Sequence, residues 1–199
     1  TVGRVSIISA MILGSALLLS SPTASFTRRD KAYYLSEKDA AFVRAGLVTK
    51  ITGATVASDG TIKATFKITD PKGVPLDRDG VITPGPVSTS FIASVVPNGQ
   101  VQYQAYTTRV QNSSITGKSA TQASTDSGGT YTKNADGDYT YTFGLKLPAS
   151  ADRNAVHSIG VYSSRSLVEF DLGTQYADDV FTFIPSTGSP TDRPRDIVR

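Results

Sequence analysis

Hydrophobic and polar residues alternate along most of the chain after residue 47. The clearest case is the stretch 61–69, in which four apolar residues alternate with lysine and threonine. A strand that buries one face and exposes the other has this period of two. An Asp-Gly turn signal at residues 59–60 separates this stretch from the broken apolar run 48–56. The two stretches are therefore predicted to form a β-hairpin.

Strand signals recur further along the chain. They lie in the stretches 88–96, 101–110, 139–146, 155–163 and 179–184. Two polar segments interrupt the pattern, one rich in Pro, Gly and Asp at 74–86 and one rich in Ser, Thr, Gly and Gln at 111–129. Both are predicted to be surface loops, and the second is predicted to be mobile.

This arrangement predicts an all-β fold. About seven short strands separated by turn signals are typical of an antiparallel sandwich of immunoglobulin-like or Greek-key type, here over residues 47–185. The Asp-Gly-Asp-Tyr-Thr-Tyr sequence at 136–141 resembles the tyrosine corner of such folds, in which a tyrosine hydroxyl bonds to upstream backbone. That resemblance favours a sandwich over an open barrel.

Residues 1–25 have the layout of a secretory signal peptide. Arg4 precedes an apolar run at 5–19, and small residues follow at 20–25. The apolar run is shorter than the roughly 20 residues that a membrane-spanning helix needs. A signal-peptide helix is thus predicted to precede the sandwich, and the protein is predicted to be exported.

The segments on either side of the sandwich are interpreted as linkers. The first, 26–46, is predicted to contain a short helix, because Ser36 is a suitable N-cap and Asp39 stands three residues later. The second, 186–199, is rich in Pro, Ser, Thr and Gly and then charged, which is typical of a linker toward a further C-terminal domain. Since the sequence also begins with Thr1, we expect it to be a fragment.

The composition disfavours several classes of function. The chain has no cysteine, which leaves no thiol nucleophile, no cysteine metal site, no lipid-anchoring cysteine and no Cys-x-x-Cys-His haem attachment. The net charge is +3 and the basic residues are scattered, whereas nucleic-acid binding usually needs a clustered basic face. No nucleic-acid partner is expected.

Few side chains are candidates for catalysis or metal binding. His157 is the only histidine, but no Gly-x-Ser-x-Gly elbow accompanies it, so we predict a half-buried or surface strand residue. Two acidic groups match no calcium-loop spacing and are interpreted as turn and loop residues. They are Asp70, Asp77 and Asp79, and then Glu169, Asp171, Asp178 and Asp179, the second group in a loop predicted to cap the sandwich. No catalytic, cofactor-binding or metal-binding residue is predicted.

Carbohydrate chemistry depends on aromatic and acidic residues. Glycoside hydrolysis is disfavoured, because the chain has no tryptophan and only two glutamates, Glu37 and Glu169. Alternating aromatic residues usually fill a core, but a few exposed tyrosines would suit glycan binding. The candidates are Tyr103, Tyr106, Tyr139, Tyr141 and Tyr162.

Several segments, taken in order, resemble one protein family. They are AFVRAGL at 41–47, DGTIKATF at 59–66, TDPKGVPLDR at 69–78, DSGGTY at 126–131, YTYTF at 139–143, IGVY at 159–162, EFDLG at 169–173 and RDIVR at 195–199. On these segments the chain resembles the haem-free N-terminal domain of the outer-membrane decahaem (multihaem) c-type cytochromes of the OmcA/MtrC type.

The resemblance implies a piece of an exported electron-transfer protein and not an enzyme. In that family a haem domain with repeated Cys-x-x-Cys-His sites follows the β domain. This chain, with no cysteine and one histidine, cannot hold a c-type haem, so haem c is expected in the missing C-terminal part. The β domain would be a scaffold or docking domain in the periplasm, in the outer membrane or at the cell surface.

The resemblance also implies partners. They are the haem domain of the same polypeptide and, beyond it, other outer-membrane cytochromes or a porin, with the loops 74–86 and 111–129 as the candidate contacts. Two alternatives stay open. One is a stand-alone exported immunoglobulin-like module for binding or adhesion, which exposed aromatics in a patch would support. The other is a hydrolase that uses His157.

Overall fold

The computed structural model describes residues 27–29 and 31–192. The predicted signal peptide 1–25 and the final residues 193–199 of the second predicted linker lie outside the described part. Within that part, no helix is both long enough and apolar enough to cross a membrane.

Strands dominate the described chain, with little helix. A 3₁₀ helix, Lys31–Tyr34, and one short helix, α1 at Glu37–Val43, precede the first strand, and a second 3₁₀ helix lies at Val168–Phe170. The strands are β1 Val48–Val56, β2 Thr61–Thr69, β3 Val87–Val96, β4 Gln104–Ala105, β5 Thr108–Asn112, β6 Ser119–Ala123, β7 Thr130–Ala135, β8 Asp138–Lys146, β9 Val156–Ser166, β10 Thr174–Ile184 and β11 Ser189–Pro190.

Two antiparallel sheets form the sandwich. One has the order β1-β2-β8-β7, and the other has the order β11-β10-β9-β3-β4. Among the strands of six or more residues, the first, second, fifth and fourth along the chain make one sheet, and the third, sixth and seventh make the other. This is the ABED and CFG arrangement of an immunoglobulin-like fold. The predicted all-β sandwich is confirmed.

The core lies between the sheets and is filled by aromatic rings on alternating positions. Phe66 of β2 and Tyr141 of β8 face Phe91 of β3, and all three are buried. The rings of Phe91 and Tyr141 stack with their centroids 4.4 Å apart, and Phe66 meets Phe91 edge to face at 5.1 Å. Such ring pairs add to the stabilisation from burial alone.

The predicted mobile loop at 111–129 is wrong in part, because a two-stranded hairpin occupies much of it. Strands β5 and β6 pair with each other in full register but belong to neither large sheet. Every residue of both strands is exposed. The sequence signal failed because both faces of this ribbon meet water, which removes the apolar period that marks a half-buried strand.

Three local predictions need correction. The predicted strand 101–110 divides into β4 and the start of β5. The last large strand begins at Thr174, which places Asp178 and Asp179 on β10 and not in a capping loop. The tyrosine-corner interpretation of 136–141 is also wrong, because Tyr139 begins the fifth long strand, and its hydroxyl accepts from Arg78 N–H, 61 residues upstream.

The predicted helix near Ser36 is confirmed. The Ser36 hydroxyl accepts a hydrogen bond from the Asp39 backbone N–H at 3.1 Å, as an N-cap does. The helix ends at Val43, and its C-cap residue Arg44 has a left-handed backbone conformation. Val43 and Ala45 are buried against Leu167, so this segment packs on the sandwich.

Candidate docking surface

Exposed apolar side chains gather at one end of the sandwich. They come from α1, from the 70–86 connection between β2 and β3, and from the 3₁₀ helix after β9. We name this set the loop-end surface: Phe42, Val74, Val81, Ile82 and Val168. Val81 and Ile82 are 85% and 66% exposed, so folding alone does not account for their apolar character. Clustered exposed apolar residues are typical of interaction surfaces.

A buried arginine holds the segments that form this surface. Arg165, on the inward face of β9, is 0% exposed. Its guanidinium donates to Val43 O at 2.7 Å, Arg44 O at 2.7 Å, Gly46 O at 3.0 Å and Pro84 O at 3.0 Å from Nε and 2.5 Å from Nη2. All five N–H groups of the side chain are thereby used. The end of α1 and the 74–86 connection are therefore fixed to the same strand.

The charge of Arg165 is balanced by backbone dipoles. Among the described residues no carboxylate lies within ion-pair distance of it. Burial, with the nearby Arg44 cation, lowers the pKa of Arg165 to about 10, and the Asp70 carboxylate opposes that shift. The side chain stays protonated at neutral pH and keeps all its donors.

The connection 74–86 has its own internal support at Asp77. The Asp77 carboxylate accepts from the backbone N–H groups of Asp79, Val81 and Ile82, at 3.3, 2.6 and 3.0 Å. Partial burial raises the pKa of this carboxyl, but the three donors lower it by more, and the pKa of Asp77 lies below its ordinary value. These bonds hold Val81 and Ile82 in one backbone conformation, with their side chains in water.

Tyr139 ties the Asp77 loop to the sandwich. Its hydroxyl accepts from Arg78 N–H at 3.0 Å and donates to Asp77 Oδ1 at 3.4 Å. The Arg78 guanidinium then lies over the ring of Tyr131, 4.0 Å from its centroid, in a cation–π contact. The loop-end surface is therefore preorganised. Binding of a partner to it costs little conformational entropy, because the loop is already ordered.

The structure does not assemble a catalytic centre at His157. The residue is buried, not half-buried or exposed as predicted. Its Nε2 lies 2.6 Å from the Tyr106 hydroxyl, and its Nδ1 lies 3.0 Å from Ala155 O. Burial lowers the pKa of His157, so the ring is neutral and both its nitrogens are engaged. The adjacent Ser158 hydroxyl pairs with Thr182 and not with the ring.

Two of the acidic candidates, Asp70 and Asp179, accept hydrogen bonds from backbone N–H groups. Asp70 Oδ1 accepts from Lys72 N–H and Val74 N–H, both at 2.9 Å. Asp179 accepts from Ile51 N–H at 2.8 Å and pairs with Lys50. Among the described residues, no group of three or more His, Cys, Asp or Glu side chains is arranged to bind a metal ion.

The tyrosines singled out by the sequence fall into three burial classes. Tyr139 and Tyr141 are buried, and Tyr103 and Tyr106 are intermediate. Only Tyr162 is exposed, at 54%, and it stacks with Tyr176, which is 63% exposed, with their centroids 6.0 Å apart. Tyr176 was not singled out from the sequence, because its ring partner Tyr162 stands on the neighbouring strand and the sequence pattern does not show which strands pair.

Arg165, Val81 and Ile82 were likewise not predicted from the sequence as functional residues. A weak signal existed for each. In the alternating pattern of β9, Arg165 falls on the same inward-facing side as Ile159 and Val161. An arginine that faces the core needs hydrogen-bond acceptors there. The adjacent Val81 and Ile82 interrupt a segment that is otherwise polar.

Comparison with known proteins shows similarity in fold. No family model matches the chain, and no curated protein matches its sequence. A crystal structure of the outer-membrane decahaem cytochrome OmcA is similar, with a TM-score of 0.52 and 19% identity over 72% of this chain. A crystal structure of MtrC from Shewanella baltica OS185 has a TM-score of 0.49 and 18% identity over 73% of this chain. The chain spans 23% of the length of each.

Replacing Arg165 by Leu is expected to destabilise the protein by about 3 kcal/mol or more, because four carbonyls at buried or partly buried positions lose their donors. The measurement is urea unfolding. Arg153→Leu is the matched control: Arg153 also donates to three backbone carbonyls, but its partly exposed position lets water replace it, so a loss of about 1 kcal/mol is expected. Equal losses for the two variants would contradict the role assigned to Arg165.

Asp77→Asn is expected to cost about 1–3 kcal/mol at pH 7, because the charge-assisted bonds to the Val81 and Ile82 N–H groups weaken. The folded-state pKa lies below the unfolded one, so the contribution is complete above the unfolded value of 3.8 and is lost as pH falls through the folded value. Denaturant unfolding at pH 7 and at successively lower pH below 3.8 should show the difference between variant and wild type narrowing. Asp136→Asn, an exposed surface partner of Lys133, should change little at any of these pH values.

Proposed function

We propose that this chain is the haem-free N-terminal β domain of an exported multihaem c-type cytochrome. In that role it is a scaffold or docking domain for electron transfer at the outer membrane or outside the cell. The observation that carries the proposal is the shared immunoglobulin-like fold with the outer-membrane decahaem cytochrome OmcA, at a TM-score of 0.52. The sequence segments that resemble the family run in order from residue 41 to residue 199 and support the same proposal.

The domain itself does no electron transfer in this proposal, and it is not an enzyme. Attachment of a c-type haem needs cysteines, and the chain has none. The only histidine has both ring nitrogens in hydrogen bonds inside the protein, so it does not fit an axial ligand. The residues present therefore do not fit a haem, and haem c belongs to a following domain.

The loop-end surface is the best-supported contact for that following domain. Arg165 and Asp77 hold the backbone segments that carry its exposed apolar residues. Few residues therefore have to become ordered when the haem domain docks. The hairpin of β5 and β6, the other contact expected from the sequence, exposes Val110 and Ile115 but pairs with no other strand. Other outer-membrane cytochromes or a porin are further proposed partners, in the periplasm, in the outer membrane or at the cell surface.

The first experiment is to purify the native exported protein and to record its intact mass and visible spectrum. A mass far above 21.0 kDa together with a haem Soret band is expected. A mass no greater than that of this chain and no haem absorbance would overturn the proposal.

Docking is tested in the same native protein with the double variant Val81→Ser and Ile82→Ser. Loss of apolar contact should speed proteolytic separation of the β domain from the haem domain several-fold, with haem content per chain unchanged. Ile115→Ser at the hairpin tip is the matched control and should behave as wild type. If the hairpin variant separates faster and the loop variant does not, the contact lies at the hairpin instead.

A second candidate function has one specific observation in its favour. A stand-alone exported binding module would need an exposed aromatic platform, and the stacked rings of Tyr162 and Tyr176 form one on the outer face of the five-stranded sheet. Under this function, Tyr162→Ala should abolish binding to any neutral glycan that a glycan array detects. Tyr34→Ala, at an exposed tyrosine of the N-terminal 3₁₀ helix, should leave that binding intact. An array on which wild type binds nothing would remove this candidate.

A further inference from the structure

A groove opens where the edges of the two sheets diverge. Asp179 of β10 holds β1 through Ile51 N–H at 2.8 Å and Lys50 Nζ at 3.0 Å. Directly after this attachment the pairing of β1 with β2 shifts register between Ile51 and Gly53. A bulge of this kind bends its strand and redirects the side chains that follow. The bulged half of β1 then forms one side of the groove, and β11 forms the other.

The lining of this groove combines three kinds of chemistry. Its lining carries hydroxyl groups, among them those of Thr52, Thr55 and Thr65. Lys63 supplies an ammonium group, and Phe181 with Pro190 supplies apolar surface. The cavity volume is about 430 Å³, which lies in the range of sites for small ligands.

Part of the hydrogen-bonding capacity of the groove is unused. Thr52 Oγ1 donates to Thr65 Oγ1 at 3.2 Å, and Thr65 Oγ1 donates to Gly53 O at 3.3 Å, which orients the two hydroxyls but leaves lone pairs for another donor. Within the described residues, the Thr55 hydroxyl and the Lys63 ammonium make no hydrogen bond. Both are exposed and available to a ligand.

Among the described residues Lys63 has no counter-charge, unlike two other lysines of the same sheet, Lys50 and Lys146. Lys50 pairs with Asp179 at 3.0 Å, and Lys146 pairs with Asp59 at 2.6 Å. Lys63 stands between Thr55 of β1 and Thr142 of β8 and has no carboxylate within 4 Å among the described residues. A cation without a counter-charge in a concave surface raises the local concentration of anions.

We propose that this groove binds an acidic sugar unit of the uronic-acid type, carried by a glycan. The Lys63 ammonium pairs with the sugar carboxylate. The threonine hydroxyls exchange hydrogen bonds with the ring hydroxyls, and the Phe181 ring contacts the apolar C–H face of the sugar. This site is separate from the loop-end surface and needs no haem, so it goes beyond the docking role.

The test is calorimetric titration of the exported protein with trigalacturonate, with maltotriose as the neutral comparison. Wild type should bind trigalacturonate and should bind maltotriose at least about tenfold more weakly, because only the acid pairs with Lys63. Lys63→Ala should weaken the binding of trigalacturonate about tenfold, and Thr55→Val should weaken it about threefold. Neither exposed substitution should alter folding, which circular dichroism checks.

Lys67→Ala is the matched control. Lys67 lies on the same strand and the same face as Lys63, is also exposed and has no ion pair within 4 Å in the described part of the chain, but it does not line the groove. Its substitution should change the affinity less than twofold. Equal losses at Lys63 and Lys67 would show only a diffuse charge effect, and either no binding of trigalacturonate or equal binding of maltotriose would overturn the proposal.

Discussion

The guanidinium of Arg165 is the interaction on which the functional end of this protein depends. It is fully buried, and its acceptors are the last carbonyl of α1, two carbonyls of the turn that follows and one carbonyl of the 74–86 connection. A lysine has no planar fork to reach four carbonyls at once. Without these donors the carbonyls would be buried and unpaired, so helix and loop would not close over the end of the sheets.

Several carboxylates of this protein also hold backbone segments in place, by accepting hydrogen bonds from backbone N–H groups. Asp77 holds the loop that exposes Val81 and Ile82, and Asp179 fastens β1 to β10. Asp126 accepts from the N–H groups of Gly144 and Leu145 and so closes the other side of the sandwich. Asp77 and Asp179, which belong to the acidic groups noted in the sequence, thus have carboxylate oxygens that accept from N–H donors. The same attachment at Asp179 sets the place where the sheets diverge and the Lys63 groove begins.

The sequence predicted the fold class well and the surfaces poorly. In strands with one buried face, such as β2, apolar and polar residues alternate with a period of two, and most of the seven long strands were predicted from this alternation. The hairpin of β5 and β6 was missed because it buries neither face. The groove could not be predicted, because Thr55, Lys63 and Phe181 come together only through a bulge and the packing of two sheet edges.

By itself the sequence determined the strand periodicity, and hence the all-β class. It also determined the Ser36 helix cap and the absence of cysteine chemistry. These properties depend on neighbouring residues or on composition alone. Tertiary structure decided which polar groups meet. The acceptors of Arg165 lie 81 to 122 residues away along the chain, and the partner of Tyr162 stands on another strand. Those distances are set by the pairing of strands and by the packing of helix and loop on the sheet, because the local sequence pattern carries no information about contacts between separate elements.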